Sequence, residues 1–160
     1  MKPIHLILLI LVGLLTITPI ASAATGTGQL YVTNAPGIEK GDTATVDIYL
    51  QNTFDPKIGT YEILMYFDNK VAKIIDIQTV NAMEANPSYG DNCAFVGGFA
   101  ARGYNNGDLL LATVTLEALL DDGSFSDLEM EVVLLKTVVV NSKTESLTVS
   151  IQNGTFTTVD

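Results

Sequence analysis

Past the first two dozen residues, apolar and polar positions alternate with a period of two along most of the chain. Residues 43–51 show it most plainly, with Ala44, Val46, Ile48 and Leu50 on one side and Thr43, Thr45, Asp47 and Tyr49 on the other. That period predicts a strand with one face in a core and one in water. Leu30 and Val32 alternate with Gln29, Tyr31 and Thr33 in the same way. Over residues 60–68, Tyr61, Ile63, Met65 and Phe67 oppose Thr60, Glu62, Leu64, Tyr66 and Asp68. Further on, Leu110, Ala112, Val114, Leu116 and Ala118 oppose Leu111, Thr113, Thr115 and Glu117. Helix competes there, but threonine at alternate positions favours strand. Leu128, Met130, Val132 and Leu134 then alternate with Glu129, Glu131, Val133 and Leu135.

Turn residues separate these runs: Pro36-Gly37, Lys40-Gly41-Asp42, Asp55-Pro56, Asp68-Asn69-Lys70, Asn106-Gly107, Asp121-Asp122-Gly123 and the stretch 142–145. Residues 71–80, with Ile74, Ile75 and Ile77, read as another strand, and 138–140, 147–151 and 155–158 complete the series. Residues 81–92 are the least regular, with one helical turn expected at 82–85. Residues 93–99 read as a bent or bulged strand, because Gly97-Gly98 interrupts them. Eight or nine evenly spaced strands and no convincing helix predict an all-β sandwich. There is no internal repeat and no second-domain linker.

The N-terminus changes the length of the domain. Lys2 and His5 precede an apolar run from Leu6 to Ile20, closed by Ala21-Ser22-Ala23. These are the three parts of a secretory signal peptide, residues 1–23, leaving a single domain over 24–160. Cleavage is favoured over an uncleaved anchor, because the Ala-Ser-Ala site is well formed and Pro19 stands where a helix would end. The expected localisation is secreted, extracellular or at the cell surface.

Composition then narrows the chemistry. Beyond residue 23 there is no histidine and no tryptophan, and Cys93 and Arg102 are the sole cysteine and arginine. A Ser-His-Asp triad, a Cys-His pair and most zinc sites are excluded. A carboxylate pair for glycoside hydrolysis remains formally open, but nothing marks two of the 18 acidic residues for it. The expectation is no enzyme and no cofactor. All 18 carboxylates lie beyond residue 23, against seven Lys and Arg, for a net charge near −11. Such a surface suits neither nucleic acid nor an anionic membrane. Residues 121–127 form an acidic turn with oxygens enough for calcium, but without the ligand spacing of an EF-hand; a plain hairpin turn is the simpler reading. Cys93 reads as a small buried hydrophobe, with a disulfide to another chain as the alternative. Asn153-Gly154-Thr155 fits an N-glycosylation acceptor and equally a turn. Outward tyrosines such as Tyr31, Tyr49 and Tyr66 leave a polysaccharide-binding surface as a second reading, weakened by the missing tryptophan.

One face stands out. Leu64 and Tyr66 lie where a solvent-facing strand should be polar. With Thr60 and Glu62 they form a candidate partner-binding patch, unless a loop covers it.

Four stretches together resemble cohesin modules, the receptors for dockerins in cellulosome-type assemblies. They are Gly41-Asp42-Thr43-Ala44-Thr45-Val46-Asp47-Ile48-Tyr49-Leu50, Tyr66-Phe67-Asp68-Asn69-Lys70-Val71, Gly107-Asp108-Leu109-Leu110-Leu111-Ala112-Thr113-Val114 and Ile151-Gln152-Asn153-Gly154-Thr155-Phe156. Each is weak alone; their order and spacing over nearly all of 29–159 carry the likeness. The resemblance implies a nine-stranded antiparallel jelly-roll sandwich that binds a dockerin-bearing protein on one sheet face. Polar residues at the start of the third strand contact the dockerin in that family, and they match Thr60 and Glu62 here. Calcium would then belong to the dockerin. Residues 81–107 are shorter than the family's middle section, with glycines where strands are expected.

Overall fold

The structure is a computed structural model, described over residues 23–159. The expected signal peptide, up to residue 22, and Asp160 lie outside the described residues. The alternating runs become strands β1 (Gly28–Val32), β2 (Ala35–Ile38), β3 (Thr43–Asn52), β4 (Ile58–Tyr66), β5 (Ala72–Thr79), β6 (Glu84–Gly90), β7 (Cys93–Phe99), β8 (Gly107–Ala118), β9 (Phe125–Thr137), β10 (Ser150–Gln152) and β11 (Gly154–Thr158). They form two sheets, ordered β10-β1-β3-β8-β5 and β2-β11-β9-β4-β7-β6. The all-β sandwich expected from the pattern is present.

Between the sheets lie the residues that the alternation placed inside. Leu30, Val46, Ile48 and Leu50 come from one sheet, and Tyr61, Ile63, Met65, Leu128 and Phe156 from the other; all are at most 1% exposed. Each such side chain contributes about 1.5–3 kcal/mol of burial free energy.

Two expectations need correction. The described residues hold eleven strands, not nine, and the sheets are not antiparallel throughout. β1 pairs with β10, and β2 with β11, in parallel. The parallel pairings have one cause: near each end of the domain the chain crosses from one sheet to the other. Thr33 and Asn34 separate β1 from β2, and Asn153 alone separates β10 from β11. At each crossing an asparagine replaces the broken ladder. Asn34 Oδ1 accepts from Thr155 N–H at 2.8 Å, and Asn153 Oδ1 accepts from Met130 N–H at 3.0 Å. The two crossings touch at Gly154, where a Cβ would lie 2.8 Å from Thr33 O and 2.9 Å from Val32 O. Gly154→Ala is therefore expected to destabilise the domain by about 2 kcal/mol, read as a lower urea midpoint with unchanged slope. A neutral result would show that the crossing has room to spread.

Smaller departures follow from register shifts. In β8 the shift opposite Ile48 and Tyr49 turns Leu111 inward beside Ala112, so Leu110 is not the inward residue that simple alternation predicts. In β9 a shift opposite Glu62 and Ile63 puts Leu135, not the expected Leu134, in the core. Pro36-Gly37 lies within β2 rather than in a turn, and residues 82–85 form no helical turn, since Glu84 opens β6. β7 is not bulged against its neighbour: it pairs with β4 in unbroken register from Thr60↔Phe99 to Tyr66↔Cys93. Its glycines make room for rings. A Cβ on Gly98 would lie 2.7 Å from Tyr61 Cζ, and one on Gly97 would lie 2.7 Å from Phe95 Cζ. Near residue 142 the tight turn is at Asn141-Ser142, both at positive φ, closed by reciprocal bonds between Val140 and Lys143 at 2.9 and 3.0 Å.

Candidate functional site

β4 lies in the interior of its sheet, between β9 and β7. Its inner face is anchored by Tyr61, Ile63 and Met65, and by the strict period of two its outer face presents Thr60, Glu62, Leu64 and Tyr66, all half-buried. The expected patch is thus on one face of one strand, and no loop covers it completely.

Register sets the neighbours in rows across the sheet. Lys136, Thr60 and Phe99 form the first; Leu134, Glu62, Gly97 and Glu84 the second. Glu131, Leu64, Phe95 and Asn86 make the third, and Glu129, Tyr66, Cys93 and Gly90 the fourth. Phe95 stacks on Tyr89 at 5.5 Å between centroids. Tyr89, Phe99 and Val133 are each more than half exposed. An apolar strip therefore runs through Leu64 and Phe95, and Glu62, Glu84, Glu129 and Glu131 rim it. Lys136 is the lone cation in these rows.

Hydrogen bonds stiffen the patch. Tyr66 O–H donates to Glu131 Oε2 at 2.8 Å, and that bond, with burial second, pushes the phenol up to about 12. Tyr66 thus stays a neutral donor. Thr60 Oγ1 donates to Gly98 O at 3.1 Å. Cys93 is buried, but on the outer side of β7 in register with Tyr66; burial pushes its thiol up, which suits the small-hydrophobe reading. Beyond Tyr66 the face opens into a cleft of about 490 Å³ whose walls include Asp68, Asn92, Phe125, Asp127 and Glu129.

The other candidates lie elsewhere. Tyr31 and Tyr49 stack on each other across β1 and β3, centroids 5.1 Å apart and planes within 14°, so each ring covers one face of its neighbour. Asp122 Oδ1 accepts from Ser124 N–H and Oγ–H, which holds that carboxyl below the usual range and makes the acidic stretch an ordinary turn. Among the described residues, no group of three or more His, Cys, Asp or Glu side chains is placed to hold a metal ion.

Phe95, Phe99, Val133, Glu84 and Glu131 belong to the face but were not legible as its members. Phe95 and Phe99 share a parity opposite to Ala94 and Val96, which was the available signal; the glycines between obscured it. Chemically the face is equipped to bind. An apolar centre sheds water, and carboxylates around it accept N–H groups or pair with cations.

No family model matches the chain, and no curated protein matches it. Solved structures do. The seventh ScaB type I cohesin of Pseudobacteroides cellulosolvens superposes with a TM-score of 0.69 at 15% identity, covering 82% of this chain and 92% of that one. A non-cellulosomal cohesin of the archaeon Archaeoglobus fulgidus gives 0.66 at 19% identity, covering 84% and 92%. The cohesin–dockerin complex Coh-OlpA-Doc918 of Clostridium thermocellum gives 0.64 at 19% identity, covering 83% and 99%. By its fold, this chain is a cohesin-type β-sandwich.

Proposed function

We propose that this chain is a secreted, non-catalytic receptor module that docks a dockerin-type protein partner across the outer face of β9-β4-β7-β6. The observation that carries the reading is the Leu64–Phe95 strip with its four-glutamate rim, on the face where a third-strand contact is expected from the cohesin resemblance. The Clostridium thermocellum relative is itself a cohesin in complex with a dockerin, which supports the class of partner. The rim further favours a basic docking surface, since opposite potentials steer encounter and like charges repel. Association with other exported proteins in an assembly that acts on polysaccharide fits this role.

The test is a calcium-dependent pull-down with the dockerins encoded in the same genome. Glu62→Lys reverses the charge at the centre of the rim and is expected to weaken capture about tenfold. Tyr66→Ala removes both the ring and the hydrogen bond to Glu131 and is expected to act in the same direction. Both variants should keep the parent's melting profile, because both side chains face outward. Retained binding in the two variants would remove this face from consideration, and failure of every dockerin to bind the parent would overturn the partner class.

A further inference from the structure

Order in the described chain begins almost at once. Thr25 N–H donates to Asp55 O and Asp55 N–H returns to Thr25 O, both at 2.9 Å. Thr53 N–H donates to Thr27 O at 2.9 Å, and Thr27 N–H to Thr53 Oγ1 at 3.1 Å. Gly26 lies between these bonds at φ +110°, where a Cβ would lie 2.9 Å from Phe54 Cα. Residue 24 therefore has a defined place, and its N–H donates to Glu145 Oε2. Glu145 is itself fixed. Its N–H donates to Thr137 Oγ1 at 3.0 Å, and its carbonyl accepts from Thr137 N–H at 2.9 Å.

Ala24 is also the residue that cleavage after Ala21-Ser22-Ala23 would expose. We propose that the Ala23–Ala24 bond is the processing site, and that the α-ammonium released at Ala24 forms an ion pair with Glu145. The step is a hydrolysis by an external endopeptidase. Water's oxygen goes to Ala23 as carboxylate, and Ala24 nitrogen leaves with both of water's protons as an ammonium. A neutral amide with one N–H becomes a cation with three, against a carboxylate already in place.

The charged groups on the surrounding segments are Asp55 and Lys57 before β4, Lys136 on β9 and Lys143 in the hairpin. Lys57 Nζ donates to Asn105 Oδ1 at 3.4 Å, and among the described residues none of the four forms an ion pair. Glu145 is thus open to the new charge. The pair ties the first residue of the mature chain to the segment leading into β10, so removal of the leader tightens this corner of the sandwich.

The sign of the pH dependence follows from the amine. An unpaired α-amino group titrates at about 7.7–8.0, and a carboxylate partner raises that value in the folded state. The added stability is complete below about pH 7 and is lost as pH rises through the raised value.

The experiment exports four full chains from a bacterial host: the parent, Glu145→Gln, a chain with Gly-Ser inserted between Ala23 and Ala24, and a chain carrying both changes. Intact mass should place the start of the parent product at Ala24. At pH 6 the parent should melt about 3 °C above the insertion chain, a gap that closes by pH 10. In the Glu145→Gln background the same insertion should make no difference at either pH. A product starting elsewhere overturns the proposal, as does a missing gap at pH 6 or one that persists at pH 10 or without Glu145.

Discussion

Tyr61→Ala is expected to lower the stability of the sandwich by about 4 kcal/mol, a large part of the ~5–15 kcal/mol that holds such a domain folded. The ring is fully buried on the inner face of β4. It packs against Tyr104, with centroids 5.3 Å apart, in the space left by Gly98. Its hydroxyl donates to Asn81 O at 2.7 Å, and Asn81 Nδ2 donates in turn to Leu110 O at 2.8 Å. One side chain thus joins β4 to the segment before β6 and, through Asn81, to β8 in the opposite sheet. Truncation opens a cavity and leaves a carbonyl without its donor. Tyr61→Phe separates the two effects, with an expected cost of about 1 kcal/mol for the hydrogen bond alone. In urea the alanine variant's midpoint should fall by about 2 M, with the phenylalanine variant close to the parent. Equal losses would move the effect from the ring to the hydroxyl; two neutral variants would show that β4 is anchored elsewhere. Burial first, then Tyr104, pushes the Tyr61 phenol far above its usual value. That contribution is complete below about pH 10 and fades as pH rises beyond it, so alkaline unfolding should be shallower in Tyr61→Phe.

How much of this was legible depended on whether a strand's two faces differ in chemistry. In β3 polar and apolar residues take strict turns, and the structure follows the pattern. In β9 the run Val132-Val133-Leu134-Leu135 is apolar on both sides, so nothing in it marks the shift that turns Leu135 in and Leu134 out. Leu109-Leu110-Leu111 hides the shift in β8 for the same reason. β6 was missed because Asn86, Pro87 and Gly90 lack strand character. An edge strand needs only one hydrogen-bonded neighbour, and proline is tolerated there. Gly97-Gly98 suggested a break because a glycine's local meaning is freedom, whereas its meaning here is space for Phe95 and Tyr61. The candidate site was half legible for a related reason. Leu64 and Tyr66 betray themselves within β4 by being apolar on the wrong face. Phe95, Phe99 and Val133 join them only through inter-strand register, which no single strand encodes.

That register makes Leu64 the position where binding should be most sensitive. Its row runs Glu131, Leu64, Phe95, Asn86, so it sits between the acidic rim on one side and the Phe95–Tyr89 stack on the other. Leu64→Asp is expected to weaken partner binding by about 100-fold or more, near 3 kcal/mol, because a charge would be desolvated at the centre of the contact. The melting point should stay within about 2 °C of the parent, since the side chain faces away from the core. Leu64→Lys separates burial from charge. Both variants place an ion in the dry centre and should raise the dissociation rate alike, while only lysine opposes the acidic field, so only lysine should also slow association with a basic partner. Tyr31→Ala, on the opposite sheet, is the control and should leave both rates unchanged. If Tyr31→Ala abolished binding while Leu64→Asp retained it, the partner would dock on the wrong sheet for this proposal. An equal association rate for the aspartate and lysine variants would keep the face and discard the basic partner.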